Sequence, residues 1–501
     1  MDQSGITPNT SNQQLVNGSD NDSATALLQE KQARRRENLG DVSFREYMTV
    51  GILCFVNLIN YMDRFTIAGV LSDVKTEFNI GDDWAGLLQT VFVIAYMVFA
   101  PMFGYLGDRY SRRKIMAAGV ALWTMTTFAG SYVTNYYWFA VFRGLVGIGE
   151  ASYSTIAPTI ISDLFVGNVR SKMLAFFYFA IPVGSGFGYI VGSVAGAIAG
   201  DWRWGLRVTP VLGAAAVVLV ACVMQDPERG QAEESTMKPT SYGDDLRALV
   251  RNPSFMLSTL AFTCVAFVTG ALAWWGPLFI FLGLDLQPGV NISKERVSLV
   301  FGGITMASGL AGVPLGAWLG AALVRRFPRA HPLICGVGLL VSAPAMALGM
   351  LLTQYYFYAP FVFMFIGEVA LNLNWAIVAD MSLYIVIPPR RSTAEAFQIL
   401  ISHMLGDAGS PYLIGVISES LKRSLSGGAA EAASRSQQFR ALQYALFLTC
   451  FVEVVGGVFF LITTNYIVRD KQKVDRAIAE AEVHSSEASH SQTHEKNVSG
   501  E

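Results

Sequence analysis

The sequence predicts an all-α membrane protein with about 12 transmembrane helices in two pseudo-symmetric six-helix halves. Only 15% of the 501 residues are charged and 52% are hydrophobic, whereas an ordinary soluble protein carries about 25% charged residues. The apolar residues gather into long blocks. Residues 84–106 contain no charge and are long enough to cross roughly 30 Å of hydrocarbon at about 1.5 Å per residue. Six such blocks precede a polar stretch and six follow it.

The apolar blocks give the predicted helices in order and divide the chain into domains. The first six cover 47–70, 84–106, 115–134, 137–165, 172–199 and 205–224, and the second six cover 254–284, 296–324, 331–353, 356–387, 393–418 and 440–468. We therefore expect a disordered cytosolic N-terminus at 1–46, an N-terminal bundle at 47–224, a cytosolic linker at 225–253, a C-terminal bundle at 254–469 and a disordered cytosolic tail at 470–501. Residues 1–46 lack a hydrophobic signal core, so no cleaved secretory peptide is expected.

Lysines and arginines set the predicted orientation. The short connections at 107–114, 167–172, 325–329 and 388–391 are rich in basic residues and alternate along the chain. They fall on the same side as the basic cluster that ends the N-terminus, so we expect both in the cytosol. One connection on the opposite side, 418–440, also carries four basic residues and departs from the rule.

Composition and motifs exclude several classes of protein. A formal net charge of −2 gives no reason to expect a nucleic-acid partner, and the five dispersed cysteines show no CxxC spacing of a zinc or redox site. No Walker-type loop for an ATP-driven pump is present. His403 has no evident nucleophile partner, so neither peptidase nor transferase chemistry is indicated. We expect no enzyme activity and neither metal nor cofactor, with a proton gradient as the source of energy.

Short motifs recur between the halves. Ile148-Gly149-Glu150 in the fourth block returns as Ile366-Gly367-Glu368 in the tenth, six helices later. Parallel six-helix repeats with a binding site near the midplane between them are a known plan of transporters. The repeat therefore favours a secondary transporter.

Glycines follow a four-residue spacing on two predicted helices. The fifth helix holds Gly184, Gly188, Gly192, Gly196 and Gly200, and the eighth holds Ser308, Gly312, Gly316 and Gly320. Small residues at this spacing let helix backbones approach closely in lipid. Two interpretations stay open: static helix packing, and a sliding interface between the halves.

Ionisable residues inside predicted membrane helices are costly and usually functional. They are Asp63 and Arg64 in the first helix, Arg143 and Glu150 in the fourth, Glu368 in the tenth, His403 and Asp407 in the eleventh, and Glu453 in the twelfth. At about 1.5 Å per residue, Asp63 and Arg143 reach a similar depth, which predicts a charged cluster with Arg64 and Glu150. Asn57, Asn60 and Arg64 form one polar stripe on the first helix.

The predicted cluster allows two interpretations. It is either a static ion-pair network that holds helices together or a proton site combined with an anion anchor, since burial and a nearby arginine act oppositely on a carboxyl group. His403 is a second candidate for proton transfer, with hydrogen-bonded packing as its alternative. For Glu453, a structural role and a lipid-facing snorkelling role are both open.

The connection at 104–114, which reads GYLGDRYSRRK, resembles the signature loop of the major facilitator superfamily. Ser111 stands where that loop usually has glycine. The resemblance implies a cytosolic gate in which Asp108, Arg109 and Arg112 stabilise the outward-open state. A loop that only sets topology is compatible with the same residues.

Four stretches, at 60–65, 143–153, 392–397 and 406–412, resemble the spinster family of lysolipid transporters, and the likeness covers about residues 47–469. It is closest to the branch that exports lysophosphatidylcholine and lysophosphatidylethanolamine from lysosomes with protons. The resemblance implies proton coupling by Asp63, Glu150, His403 and Asp407, and headgroup binding by Arg64, Arg143 and Asn60.

The same resemblance implies a lysosomal or late endosomal multi-pass protein, acting as a monomer on a lysophospholipid or sphingolipid among membrane lipids. Three alternatives remain: a sphingosine-1-phosphate exporter at the plasma membrane, a non-transporting lipid sensor on a transporter scaffold, and an energy-independent scramblase. Indifference to a pH gradient would distinguish the scramblase.

Overall fold

The computed structural model describes residues 42–165, 167–227, 242–387, 390–427, 430 and 433–480, and every regular element within them is helical. In chain order the helices are α1 (Phe44–Gly69), α2 (Leu71–Phe78), α3 (Asp82–Arg109), α4 (Arg112–Gly130), α5 (Tyr136–Ser154), α6 (Ala157–Leu164), α7 (Gly167–Ala199), α8 (Arg203–Cys222), α9 (Tyr242–Val250), α10 (Pro253–Asp285), α11 (Lys294–Val324), α12 (Ala330–Leu352), α13 (Ala359–Tyr384), α14 (Arg391–Ser402), α15 (Ser410–Leu425), α16 (Arg435–Thr463) and α17 (467–480). A π-turn, His403–Asp407, joins α14 to α15.

The all-α membrane fold class is confirmed. Nine of the described helices are long and apolar enough to cross a membrane, namely α1, α3, α7, α8, α10, α11, α12, α13 and α16. The other three predicted spans coincide with α4, with α5 and with the broken helix α14–α15. Each of the 12 apolar blocks therefore has a helix.

The boundaries differ from the predicted blocks in identifiable places. The fourth block divides into α5 and α6, because the chain turns at Thr155 and Ile156 and Pro158 enters the first turn of α6, where its missing N–H costs little. Helix α9 lies inside the predicted linker, and α17 continues to residue 480 inside the predicted tail. The disorder predicted at 1–41 and 481–501 falls outside the described residues, as does 228–241 of the linker.

Local sequence explains where several helices begin. Ser43 and Glu46 form a capping box at the start of α1, and Ser434 with Gln437 does the same for α16. Asn252 accepts from the Phe255 N–H ahead of α10, whose first residue is a proline. Such caps satisfy backbone N–H groups that lack a partner in the first helical turn.

Three apolar cores show how the halves meet. One, which includes Trp123, is built almost wholly from the first half, and a second, which includes Phe255, belongs to the second half. The third draws on both halves and includes Tyr189 and Trp275. It lies at the end of the bundle where α1 finishes and α3 begins, here called the outer end; the opposite, predicted cytosolic end is the inner end. The two halves therefore pack against each other at the outer end, whereas towards the inner end each half has its own core. This is an inward-facing arrangement.

The glycine ladders pack helices within each half. A Cβ on Gly188 would lie 2.5 Å from the Met62 carbonyl oxygen of α1, and one on Gly192 would lie 2.5 Å from that of Thr66. On α11, a Cβ on Gly312 would lie 2.7 Å from the Val369 oxygen of α13. The structure therefore favours static packing for both ladders over the sliding interface.

A different set of glycines joins the halves. Gly186 on α7 faces Gly302 on α11, where an added Cβ would lie 2.5 Å from the Gly302 oxygen. Gly309 on α11 lies against the side chain of Pro182 on α7, which an added Cβ would meet. The backbones of α7 and α11 therefore approach closely where the two halves meet.

Candidate functional site

An ion pair joins the two halves near the middle of the bundle. The Arg64 terminal nitrogen on α1 lies 3.0 Å from Asp407 Oδ2, and His403 Nδ1 lies 2.8 Å from Asp407 Oδ1. Arg64 is 7% exposed. Three of the predicted site residues thus form one chain of contacts across the two halves.

The π-turn places His403 and Asp407 side by side. The Ala408 N–H donates to the His403 carbonyl at 3.0 Å, five residues back, so one extra residue is inserted into the helix. Gly406 permits this, because a Cβ there would lie 2.7 Å from the Ala266 Cβ and 3.0 Å from the Thr263 carbonyl oxygen. Thr90 on α3 donates to the Ala408 carbonyl at 2.5 Å. Single π-turns of this kind are frequent at functional sites.

Glu150 faces Asn60 inside the first half. Both side chains are buried, and with the Asn60 amide turned to donate, its nitrogen lies 3.2 Å from each Glu150 carboxylate oxygen. Arg64 and Arg143 both interact electrostatically with this carboxylate. Asn60, predicted to bind a headgroup, is therefore a direct partner of Glu150.

Asp63 points away from Arg64, into the first half. It is fully buried and accepts hydrogen bonds from Thr127 on α4 at 3.1 Å and from Thr209 on α8. Among the described residues no ion pair within 4.0 Å joins it to Arg143, although the two charges interact at longer range. The expected cluster exists, but Asp63 lies at its edge, where its hydrogen-bond partners are threonine hydroxyl groups.

Arg143 is buried with unused donors. It is 4% exposed, and its Nε and one terminal nitrogen find no hydrogen-bond partner among the described residues. Its guanidinium carbon lies 4.8 Å from the centre of the Phe92 ring, and that of Arg64 lies 5.1 Å from the same ring. Buried donors without partners are rare and call for an explanation such as an absent ligand. Phe92 could not be identified from the sequence, because it is an apolar residue within an apolar block.

Arg112 of the predicted cytosolic gate has partners in the first half and at the start of the linker. Buried Arg112 pairs with Asp163 at 2.5 Å and with Asp226 at 3.3 Å, and also donates to the Pro227 carbonyl at 2.6 Å. Arg109 is exposed and lies 4.2 Å from the Tyr105 ring, while the Asp108 side chain is outside the described residues. Both acids were missed, because they lie far from the loop motif in sequence.

A second ionic cluster joins the halves at the outer end. Asp82, 2% exposed at the start of α3, pairs with Lys75 and with Lys422 on α15. Ser418 donates to Asp82 Oδ2 at 2.7 Å, and the Asp82 N–H donates to Glu419 Oε2 at 3.1 Å. We call Lys75, Asp82, Ser418, Glu419 and Lys422 the outer lock. The connection at 418–440 departs from the charge rule in part because one of its basic residues, Lys422, neutralises Asp82.

Two further buried acids have hydroxyl partners. Glu368 accepts from Thr305 at 3.4 Å and from Ser308. Glu453 is fully buried and accepts from Ser342 at 2.9 Å, and its other oxygen has no partner among the described residues. The snorkelling alternative for Glu453 is wrong, because the side chain faces the interior of the second half.

The chain is similar in sequence to known proteins along most of its length. The sequence model described as Major Facilitator Superfamily matches residues 53–411. Protein spinster of Drosophila melanogaster is 57% identical over 487 residues, covering 88% of this chain and 80% of that protein. Human Protein spinster homolog 1 is 52% identical over 442 residues, covering 86% of this chain and 82% of that protein.

Solved structures share the fold. A bacterial homolog to the human lysosomal transporter Spinster, in an inward-facing and unoccupied conformation, superposes with a TM-score of 0.74 at 20% identity and covers 85% of this chain and 98% of its own. A D-xylose-proton symporter gives a TM-score of 0.62 at 16% identity, over 83% of this chain and 97% of its own.

Proposed function

Because this chain belongs to the spinster family of the major facilitator superfamily, which makes it a membrane transporter and not an enzyme, we propose that it exports lysophospholipids from the lysosome by proton-coupled alternating access. Lysophosphatidylcholine and lysophosphatidylethanolamine are the proposed substrates, and the proton gradient is the proposed source of energy. A monomer surrounded by membrane lipids suffices, since both halves of the site come from one chain.

The observation that carries this proposal is the unused hydrogen-bonding capacity of Arg143. Its two unpartnered nitrogens are buried beside Arg64, whose Nε also lacks a partner among the described residues. Guanidinium groups donate paired hydrogen bonds to phosphate, and such charge-assisted bonds are stronger than neutral ones. A lysolipid phosphate would satisfy these donors and compensate two buried positive charges.

Asp407 supports a mechanism for coupling. In the inward-facing arrangement it holds Arg64 at 3.0 Å and contacts His403 at 2.8 Å. A proton bound to Asp407 would cancel its charge and free Arg64 for the substrate phosphate. Loss of that proton on the cytosolic side would restore the ion pair and displace the phosphate, so proton and lipid would leave together.

The remaining proposed proton sites are His403, which contacts Asp407 directly, and the two acids Glu150 and Asp63. Glu150 has the Asn60 amide as its direct partner, while Asp63 has hydroxyl donors. Neither makes an ion pair within 4.0 Å in the described residues, so protonation of either would break no direct arginine contact. We therefore assign Asp407 the proton step that changes Arg64.

The test is binding of labelled lysophosphatidylcholine to purified protein and to Arg143→Lys. The lysine keeps the charge but loses the planar fork, so we expect weaker lipid binding with unchanged thermal stability. Equal binding by the two proteins would make Arg143 a structural counter-ion. Competition with sphingosine-1-phosphate distinguishes the alternative substrate, and binding without flux would identify a lipid sensor.

A further inference from the structure

A cleft of about 220 Å³ lies at the inner end of the second half, separate from the Arg64 site. It is lined by the linker helix α9 and the two residues after it, by residues 385–387 and 390 between α13 and α14, and by α17. Part of its wall is apolar, with buried Leu249, Ile385 and Val386. Basic side chains complete the lining: Arg251, Arg390 and Lys473.

Side-chain hydrogen bonds hold the three segments in place. Asn252 donates to the Ile385 carbonyl at 2.9 Å, which connects the start of α10 with the end of α13. Asp470 on α17 accepts from the Ser254 hydroxyl at 2.7 Å. Burial raises the pKa of Asp470, but hydrogen bonds from Ser254 and Lys473 outweigh it and lower the pKa. Asp470 is therefore a carboxylate that fixes α17 against the first turn of α10.

The basic side chains of the cleft carry more positive charge than the neighbouring carboxylates neutralise. Arg390 donates through Nε to Asp245 at 2.7 Å, and its two terminal nitrogens have no hydrogen-bond partner among the described residues. Lys473 lies 3.1 Å from Asp470. Arg251 is exposed and makes no ion pair within the described ranges. One unpaired cation and one unfilled guanidinium fork thus face the same small space.

The position of Arg251 puts this charge at the membrane surface. It precedes by two residues the apolar helix α10, which begins at Pro253. On the predicted orientation this is the cytosolic surface, where basic pockets between helices bind anionic headgroups. The apolar wall beside it suits the part of a lipid next to the headgroup.

We propose that this cleft binds a phosphate group, with Arg251 and Arg390 as guanidinium donors and Lys473 as a point charge. The phosphorylated inositol headgroup of a membrane lipid and a free inositol phosphate carry the same chemistry. Either ligand would bridge α9, α14 and α17 and so attach the linker between the halves to the second half. The proposal does not depend on which lipid is transported.

The experiment uses full-length protein in phosphatidylcholine nanodiscs with and without phosphatidylinositol bisphosphate, and counts bound lipid by native mass spectrometry. Loss of one charge-assisted contact should weaken phosphoinositide binding by about tenfold in Arg251→Ala and in Lys473→Ala. Arg247→Ala is the matched control, since Arg247 is exposed on α9 and does not line the cleft. Thermal stability is measured on each variant to establish that it is folded.

Added inositol hexakisphosphate distinguishes the two sources of phosphate. Displacement of the bound lipid, or direct binding without it, supports a soluble phosphate ligand. Retention of the lipid supports the headgroup. The proposal is overturned if wild type and Arg251→Ala retain equal amounts of phosphoinositide, or if Arg247→Ala loses as much as Arg251→Ala.

Discussion

Arg64 and Arg143 place their guanidinium groups over one aromatic ring, with central carbons 5.1 and 4.8 Å from the centroid of Phe92. Phe92 is fully buried, and the electron-rich faces of an aromatic ring attract cations. The ring thus holds two like charges in one place, while donors on both have no partner in the part of the chain that the structure describes. The two positive charges and their free donors therefore form a preorganised site for an anion.

Replacing the shared ring should weaken substrate binding. Phe92→Leu keeps an apolar side chain but removes both cation–π contacts, each worth about 0.5–2 kcal/mol, so we expect lysolipid affinity to fall by roughly tenfold. The measurement is equilibrium binding of labelled lysolipid. Phe128→Leu, at an exposed position on α4, is the control. Unchanged affinity in Phe92→Leu would mean that the arginines need no aromatic support.

Removing the outer lock should favour the outward-facing state. Lys422→Ala leaves Asp82 buried with one cation fewer, and deleting one member of a buried pair typically costs about 3–5 kcal/mol. Because the lock joins the halves at the outer end, this cost falls on the inward-facing state. Distances between spin labels at the outer ends of α3 and α15 should lengthen.

The control for the lock is Arg435→Ala, which removes a largely exposed partner of Asp285 and should change little, since exposed pairs contribute about 0–1 kcal/mol. Identical label distances in wild type and Lys422→Ala would show that the shared apolar core alone closes the outer end.

The close approach of α7 and α11 should be required for transport. A methyl group added by Gly186→Ala would lie 2.5 Å from the Gly302 carbonyl oxygen, so the halves must separate. We expect lower flux with each half still folded. Gly303→Ala is matched to it, because nothing lies within 4 Å of that position. The assignment fails if flux is normal in Gly186→Ala, or reduced equally in both.

Glu453 should tolerate a neutral amide. Its Ser342 partner has one hydroxyl hydrogen but two acceptors in reach, the Gly367 carbonyl at 2.9 Å and Glu453 Oε1 at 2.9 Å. A buried charge without a cation is costly, so the neutral acid fits this position. Glu453→Gln should keep wild-type thermal stability, whereas Glu453→Ala should lose about 1–3 kcal/mol, because the contact with Ser342 is lost and a buried cavity is left. A large stability loss in Glu453→Gln would instead indicate a functional carboxylate.

The charged residues within membrane helices could be predicted from the sequence, but the side chains that they contact could not. Arg64, Arg143, Glu150, His403 and Asp407 stand out because charges are rare in apolar blocks. Whether Asp63 faces an arginine or the hydroxyls of α4 and α8 depends on helix rotation and packing, which residue spacing on one helix does not determine.

Contacts between residues far apart in the chain could likewise not be predicted from the sequence. Asp82 and Lys422 are separated by more than three hundred residues, and each alone resembles an ordinary charge at a helix end. Gly186 and Gly302 fall outside the regular ladders, so spacing drew attention to the packing glycines within each half. Gly406, Gly409 and Pro411 interrupt the eleventh block, which is typical of a bent helix, but residue types alone do not show that the bend is a π-turn.

Lysophosphatidylcholine flux into proteoliposomes, with and without a proton gradient, tests the central claim most directly when wild type is compared with Asp407→Asn. We predict that the gradient accelerates wild-type flux and does not accelerate Asp407→Asn, because the amide cannot exchange the proton that frees Arg64. Equal acceleration of both proteins would contradict the account and place coupling at another group.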